Sequence, residues 1–271
     1  MTTTTFPATV PATAERSGLV KAASDTMAIT WRNLLMLRRV PQLLVFSTIQ
    51  PVLFVLMFRY VFGGAIRVPG VPHYVDYLMP GIFAQTVAFG SINTGVGLAQ
   101  DLGTGLIERF RSLPMARSAV LAGRTAADVV RNVLVVTLMV SVGFIVGFRV
   151  HTNAAGLLAA VGLMLLFGFA LSWLFALIGL ATANPESAQA AAFPLLAPLV
   201  FASSAFVPLK SMPGWLQVFA AHQPVTITVD AVRALVLGGP TLRPVVQMLA
   251  WAAGLIAVFA PLAVSRYRRA A

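Results

Sequence analysis

The sequence of residues 101–124 reads DLGTGLIERFRSLPMARSAVLAGR, and it is a charged interruption in a chain that otherwise avoids charge. Its apolar residues recur at helical spacing, which places them on one stripe and the charged residues off that stripe. The stripe comprises Leu102, Leu106, Phe110 and Leu113, and the charged residues are Asp101, Glu108, Arg109 and Arg111. Pro114 ends the pattern, because proline disfavours helical geometry in the preceding residue and lacks an amide donor. The pattern predicts a short amphipathic helix.

Two interpretations of this helix are open from the spacing alone. A helix between two membrane spans that presents an apolar face to water is suited to docking a partner. It is equally suited to rest on lipid headgroups as an ordinary loop helix.

The composition indicates an integral membrane protein. Of the 271 residues, 58% are hydrophobic and only 10% are charged, against roughly 25% charged in an ordinary soluble domain. The chain has no cysteine, which excludes disulfide and zinc-thiolate chemistry. The net charge of +11 does not indicate nucleic acid binding, because the basic residues lie between apolar segments and not on one face of a soluble domain.

The chain is predicted to have two parts. Residues 1–24 begin with a polar run rich in threonine, proline and alanine, and we predict a disordered tail there. A single transmembrane domain is predicted over residues 25–271. Its first helix begins near a cap at Ser24 or Asp25, carries Trp31 at headgroup level, and is broken by Pro41. We interpret it as an interfacial helix, although a plain juxtamembrane anchor has the same pattern.

Six membrane spans are predicted, each judged against the roughly 20 apolar residues needed to cross the hydrocarbon core. They cover residues 43–63, 78–99, 127–148, 157–181, 189–207 and 244–264. The fifth contains Pro194 and Pro198, so we expect it to be kinked and packed within a bundle.

Counting lysine and arginine sets the orientation. The two termini and the loops after the second and fourth spans hold thirteen basic residues, and the opposite side holds six. By the positive-inside rule, both termini and the segment 101–124 are cytoplasmic.

Residues 212–239, before the last span, are too interrupted by polar residues to span the membrane and too apolar to lie free in water. We predict two short helices in the outer leaflet, and an ordinary interfacial hairpin is the alternative. The candidate functional residues of this outer hairpin are Trp215, Phe219, Asp230 and Arg233.

The sequence lacks the motifs of a catalytic chain. It contains no phosphate-binding loop, no zinc-protease pair and no nucleophile elbow, so this chain is predicted not to be an enzyme. The acidic residues lie at or beyond the predicted span ends, which argues against a proton-driven carrier. The histidines, His73, His151 and His222, fall in three separate outer segments and are interpreted as isolated.

The order of these elements and three motifs resemble the type-2 ABC exporter permeases, and within them the daunorubicin- and doxorubicin-resistance permease group. The motifs are GLIERFRSLPMARSAVLAGR at 105–124, NPESAQ at 184–189 and VPLKSMPGWLQVFAAHQPVT at 207–226. The resemblance covers nearly all of the chain after about residue 25.

The resemblance implies an exporter subunit of a bacterial plasma membrane whose ATP and Mg are bound by a separate ATPase subunit. It implies that the helix between the second and third spans is a coupling helix that docks on that subunit, through Leu106, Glu108, Arg109, Phe110, Arg111 and Leu113. It also implies a second permease copy or a related permease, with the cargo passing between the two. A largely apolar path suits an amphipathic, drug-like or lipid-like cargo.

Polar residues within the spans are candidates for lining the path, although such residues also serve as interhelical hydrogen bonds. They are Gln85, Ser91, Asn93, Ser203 and Ser204. Two other classes of protein are weighed against the exporter. An ion-coupled secondary transporter is disfavoured by the lack of intramembrane charge, and a membrane-embedded lipid-modifying enzyme is disfavoured by the lack of an acidic or nucleophilic motif.

Overall fold

The structure, a computed structural model, describes residues 18–39, 41–64, 66, 68, 71, 73–105, 117–182 and 184–270. Within these residues all regular secondary structure is helical, which confirms the predicted all-α class. The α-helices in chain order are α1 (Gly18–Arg39), α2 (Pro41–Leu56), α3 (Tyr74–Gly103), α4 (Arg117–Val146), α5 (Ala154–Ala181), α6 (Pro185–Phe201), α7 (Gly214–His222), α8 (Pro224–Leu237) and α9 (Leu242–Ala270). A π-helix, Met57–Phe62, continues α2.

Four segments are long and apolar enough to cross a membrane, and they agree with the predicted second, third, fourth and sixth spans. They are Tyr74–Gly103, Gly123–Val146, Ala154–Ala181 and Leu242–Arg269. The predicted first span falls on α2 and the π-helix, where Thr48–Phe62 is a shorter apolar segment. The predicted fifth span falls on α6, which has 17 residues. A total of six spans therefore stays a prediction.

Helix α3 is the centre of the fold and packs most extensively against α5. The two backbones touch because glycines face each other. A Cβ atom added at Gly179 would collide with the carbonyl oxygen of Gly95, and one added at Gly95 would collide with that of Phe175. Small residues are the usual means by which membrane helices approach this closely. Helices α8 and α9 pack on α5, and α6 packs on α3.

Helix α1 begins at Gly18, earlier than the start predicted at Asp25. Ser24 and Asp25 therefore lie inside the helix and do not cap it. Helix α1 packs against α4, where the Thr30 hydroxyl donates a hydrogen bond to the carbonyl oxygen of Gly123 at 3.1 Å. Residues 1–17 lie outside the described part of the chain. The division into a tail and a transmembrane domain, and the interfacial position of α1, stay predictions.

Helix α6 ends at Phe201, short of the predicted limit at residue 207, and the chain turns through residues 202–207. This turn is held by the first residues of α3. The Tyr74 hydroxyl donates to the carbonyl oxygen of Phe206 at 2.8 Å, and the Tyr77 hydroxyl donates to that of Ser204 at 2.9 Å. The turn is thus buried between helices and does not extend the span.

The predicted outer hairpin coincides with α7 and α8. The two helices differ in their surroundings, because most of α8 is buried against α5, α9 and α3, whereas α7 contacts little beyond its chain neighbours. The apolar side chains of α8 are therefore covered by protein. Their place in the outer leaflet stays a prediction.

Candidate functional site

The predicted coupling residues lie outside the described part of the chain. Leu106, Glu108, Arg109, Phe110, Arg111 and Leu113 all fall within residues 106–116. The structure does describe both flanks, since α3 ends at Gly103 and α4 begins at Arg117. The helical form and docking role of 106–113 stay predictions.

A cluster of three charged side chains joins the flanks of that segment, and we call it the Asp101 cluster. The Arg124 Nη1 atom of α4 donates to the Asp101 Oδ2 atom of α3 at 2.7 Å, and the Arg32 Nη2 atom of α1 lies 3.6 Å from the same oxygen. The Asp101 side chain is 11% exposed. The sequence pattern places this carboxylate on a solvated helix face; instead it is buried as the common partner of two arginines from two other helices.

A second charged cluster lies further along the same two helices, and we call it the Asp128 cluster. The Thr94 hydroxyl donates to Asp128 Oδ2, and Arg131 Nη1 lies 3.4 Å from Asp128 Oδ1. Arg131 Nη2 also donates to the carbonyl oxygen of Gly90 at 2.6 Å. The carboxylate and the guanidinium neutralise each other, which explains how a helix with the length and apolarity of a span carries both.

Between α2, α3, α4 and α6 lies a cavity of about 360 Å³, which we call the amide groove. Five carboxamide side chains from these four helices line it, together with the rings of Phe89 and Phe193 and the Arg131 guanidinium. The carboxamides are Gln50, Gln85, Asn93, Asn132 and Gln189. The volume lies at the lower end of the range for small-molecule sites, roughly 300 to 1,000 Å³.

The groove has an exposed rim and a buried floor. Gln50, Asn93 and Gln189 are exposed, whereas Gln85 and Asn132 are 4% and 5% exposed. The Gln85 Oε1 atom is buried without a hydrogen-bond partner among the described residues. An unpaired buried amide costs about 1–3 kcal/mol. Such a group on the floor of a cavity indicates a place where a polar ligand or water completes the hydrogen bonding.

The five predicted path residues therefore divide into two groups. Gln85 and Asn93 line the amide groove. The other three form hydrogen bonds inside the bundle: the Ser91 hydroxyl reaches the Gly168 carbonyl oxygen at 3.0 Å, the Ser203 hydroxyl reaches the Val200 carbonyl oxygen, and the Ser204 hydroxyl reaches Asp230. For Ser91 and Ser204 the structure favours the interhelical hydrogen-bonding alternative, whereas the Ser203 hydroxyl bonds within its own turn of the chain.

Two of the predicted outer hairpin residues meet in a further cluster, which we call the Arg233 cluster. Arg233 lies 3.2 Å from Asp230 Oδ1. Its guanidinium also donates to the carbonyl oxygens of Tyr77 at 3.0 Å and Ser204 at 2.6 Å, and lies over the Tyr77 ring. The cluster fastens the turn after α6 to the start of α3.

The remaining predicted hairpin residues lie on α7, apart from this cluster. Trp215 is 76% exposed and Phe219 is 46% exposed. Their exposure leaves them available to lipid, to a second permease or to cargo.

Two histidines interpreted as isolated share a partner. The His73 Nδ1 and His151 Nε2 atoms lie 3.9 Å and 4.0 Å from the Asp76 Oδ2 atom, and Asp76 is 2% exposed. Asp76 also accepts a hydrogen bond from the backbone amide of Arg149 at 3.0 Å. Among the described residues, no group of acidic and histidine side chains has the arrangement of a metal site.

Sequence reasoning missed Gln50, Asn132 and Gln189, and it did not pair Asp101 with Arg124. A usable signal for the first group was present, because carboxamides are costly in apolar segments and each of these three falls within a predicted span. No pattern in the sequence predicts that Asp101 and Arg124 form an ion pair, because the two residues belong to different helices.

The long apolar helices and the internally neutralised charges are those of a multi-pass membrane protein. A family profile described as ABC-2 type transporter matches residues 24–237. The chain is 35% identical to the daunorubicin resistance ABC transporter permease protein of Streptomyces coeruleorubidus, over 96% of this chain and 92% of that protein. It is 31% identical to a probable doxorubicin resistance ABC transporter permease protein of Mycobacterium tuberculosis (strain CDC 1551 / Oshkosh), over 83% and 81% of the two chains.

The chain belongs to the ABC-2 type transporter family. It is a transmembrane permease subunit of an ABC exporter of the daunorubicin- and doxorubicin-resistance group, and such a subunit works with an ATP-binding subunit. Family membership does not favour the secondary transporter or the lipid-modifying enzyme.

Proposed function

We propose that this permease moves an amphipathic, drug-like or lipid-like molecule out of the cytoplasm, driven by ATP that a separate ATP-binding-cassette subunit hydrolyses. Two relatives carry daunorubicin or doxorubicin resistance in their names, which supports a drug-like cargo. The combination of phenylalanine rings and carboxamides in the amide groove supports an amphipathic one.

The observation that carries the coupling part of the proposal is the Asp101 cluster. Its ion pair joins the end of α3 to α4, and those two helices flank residues 106–116. Arg32 adds α1 to the same carboxylate. A push on the segment between α3 and α4 would therefore move three helices together. In the proposal, the ATPase docks on Leu106, Phe110 and Leu113, and its closure tilts the spans through this cluster.

This chain has no ATPase site of its own in the proposal. The sequence contains no phosphate-binding loop, so ATP and Mg²⁺ bind to the partner subunit. A second permease, either an identical copy or a related chain, completes the transporter.

The proposed location is the plasma membrane of a bacterium, with both termini in the cytoplasm. The thirteen-to-six division of basic residues supports that orientation. It places the Asp101 cluster on the side where the ATPase works.

The test is reconstitution with the cognate ATPase subunit in proteoliposomes, followed by pull-down and ATP-dependent export. Phe110→Asp should abolish export and weaken the complex at least tenfold, because even half of the roughly 3–5 kcal/mol of a buried phenylalanine exceeds the 1.4 kcal/mol of a tenfold change. Glu108→Lys is the matched control on the same segment, and its effect should be smaller, because an exposed ion pair contributes about 0–1 kcal/mol.

The permease purified alone should hydrolyse no ATP. If Phe110→Asp binds the ATPase and exports like the wild type, residues 106–113 only rest on lipid and the docking proposal is wrong. If the wild-type complex hydrolyses ATP but moves no amphipathic probe, the proposed cargo class is wrong.

A further inference from the structure

Helix α9 carries a second cavity on the outer surface of the bundle, and we call it the α9 groove. Its volume is about 400 Å³, and every residue that lines it belongs to this one helix and is apolar. The lining residues are Ala250, Trp251, Gly254, Leu255, Val258 and Phe259. Leu255 and Phe259 are half-buried and the other four are exposed, so the groove opens away from the protein. Because α9 has the length and apolarity of a membrane span, the groove opens towards the hydrocarbon of the bilayer.

Gly254 leaves the space that forms this groove. A Cβ atom added at Gly254 would have no atom of the described chain within 4 Å, whereas one added at Gly95 or Gly179 would collide with the backbone. Gly254 therefore does not serve helix packing inside this chain. A glycine in the middle of a helix is also less favourable than alanine. The space at Gly254 is thus available to an occupant from outside the protein.

One end of α9 is strongly basic. Arg266, Arg268 and Arg269 are exposed, and none of them forms an ion pair with a described carboxylate. Arg269 follows Trp251 by about five helical turns, which places the two residues on the same side of α9. Arg266 lies about 18 Å along the helix from Gly254, and the hydrocarbon of one leaflet is roughly 15 Å thick. An acyl chain that ends in the groove would therefore have its head group at the basic end.

We infer that the α9 groove and the basic end of α9 bind an anionic phospholipid of the bilayer. Its acyl chain packs against Trp251 and Gly254, and its phosphate lies beside Arg266 and Arg269. Guanidinium groups donate paired hydrogen bonds to phosphate oxygens, and each basic residue near the membrane surface attracts anionic lipid. The other end of α9 carries a single arginine, Arg243, and attracts such a head group less.

A second copy of this chain fits the same face less well. Copies in one membrane share their orientation, so a two-fold axis runs along the membrane normal and pairs the two α9 helices at the same depth. The exposed arginines at the basic end of one copy would then face those of the other, and like charges repel. An anionic phospholipid instead brings the complementary charge to this position.

Fluorescence quenching tests the inference on the full-length permease in phosphatidylcholine proteoliposomes. Trp31, Trp173 and Trp215 are replaced by phenylalanine, which leaves Trp251, 42% exposed, as the only tryptophan. The probes are phosphatidylglycerol and phosphatidylcholine, each brominated in the distal half of its acyl chains, because bromine quenches a tryptophan that it contacts. Brominated phosphatidylglycerol should reach half-maximal quenching at about one tenth of the mole fraction that brominated phosphatidylcholine requires.

Two pairs of variants assign this preference to the site. Gly254→Leu fills the groove without a clash inside the described chain and should abolish most of the preference. Gly162→Leu is its control, because Gly162 is an exposed glycine of α5 whose added Cβ atom would also have no neighbour within 4 Å. Arg266→Gln together with Arg269→Gln should remove the preference, whereas Arg243→Gln should keep it.

A preference that depends on Gly254 and on the two arginines, and not on the control positions, supports the inference. Loss in the arginine variant alone would show that anionic lipids gather at the basic end without entering the groove, and loss in Gly254→Leu alone would remove the arginines from the site. Equal quenching by the two lipids would identify ordinary boundary lipid, and no quenching by either would show that protein covers this face. Each of these four results overturns the inference. None of them depends on export, so the proposed function is tested separately.

Discussion

Removal of the Asp101 carboxylate is the perturbation that the structure constrains most closely. Arg124 donates to this carboxylate at 2.7 Å, and the two side chains are 11% and 19% exposed. Breaking a fully buried ion pair by removing one partner costs about 3–5 kcal/mol, because the remaining charge is left without compensation. Partial exposure of both side chains lowers the expected loss for Asp101→Leu to about 2–3 kcal/mol.

That loss should lower the thermal unfolding midpoint by about 4–12 °C, given the 2–4 °C per kcal/mol of chains of this size. The assay is thermal unfolding of the purified permease in nanodiscs, with ATP-dependent export measured in parallel. Glu186→Gln is the control, because it removes an exposed carboxylate that forms no ion pair with the described residues. The control should lower the midpoint much less, because a carboxylate in the first turn of a helix contributes only about 0.3–1 kcal/mol.

A second substitution decides whether the ion pair is the cause. Asp101→Leu together with Arg124→Leu replaces the pair by apolar groups, which is often nearly neutral for buried pairs, so most of the stability should return. If the two single losses simply add in the double variant, with an interaction energy below about 0.5 kcal/mol, Asp101 and Arg124 are not coupled. The role of the Asp101 cluster in joining the end of α3 to α4 would then be refuted.

Three further predictions address topology, packing and the outer hairpin. A cysteine at Lys210 should react with an impermeant maleimide in intact cells and one at Glu186 should not; the opposite labelling would invert the orientation. Gly179→Ala should lower the unfolding midpoint, since its Cβ atom would force α3 and α5 apart at a cost of about 1–3 kcal/mol, and an unchanged midpoint would contradict that packing. Trp215→Ala and Phe219→Ala should reduce export several-fold in inverted vesicles at matched protein levels while leaving the midpoint unchanged, because both side chains are exposed; full export would show that they are only surface residues.

The class of fold and most spans follow from composition and apolar length alone, and the limits of the helices depend on contacts that a sequence does not display. Helix α4 begins at Arg117, well before the predicted start of its span at 127. The predicted span already contains Asp128 and Arg131, which pair with each other, but it leaves out Arg124, which is neutralised by Asp101 of α3. Only the folded arrangement reveals that these charges can extend an apolar helix.

The start of α6 at Pro185 could have been predicted. The Asn184 side chain accepts a hydrogen bond from the Ser187 amide, proline occupies the first turn, and Glu186 follows it. These are the ordinary signals of a helix start. The criterion of apolar length instead predicts that the span begins at residue 189.

Only part of the amide groove could be predicted from the sequence. A carboxamide inside an apolar segment is evident from the sequence, so Gln85 and Asn93 could be proposed as path residues. Whether such a side chain lines a cavity depends on its neighbours in the fold. The Ser91 and Ser203 hydroxyls donate to nearby carbonyl oxygens, and these serines do not line the amide groove.

The Arg233 cluster joins segments of the chain that are synthesised at different times. Its guanidinium binds the carbonyl oxygen of Ser204, 29 residues earlier in the chain, and that of Tyr77, 156 residues earlier. During synthesis the turn after α6 emerges before Arg233, whose guanidinium donates to both of these carbonyl oxygens. This end of the bundle therefore has its full set of contacts only after α8 has been synthesised. A nascent chain that stops short of Arg233 lacks one of the two donors to the Ser204 carbonyl oxygen, and its turn after α6 is held by the tyrosine hydroxyls of α3 without the guanidinium.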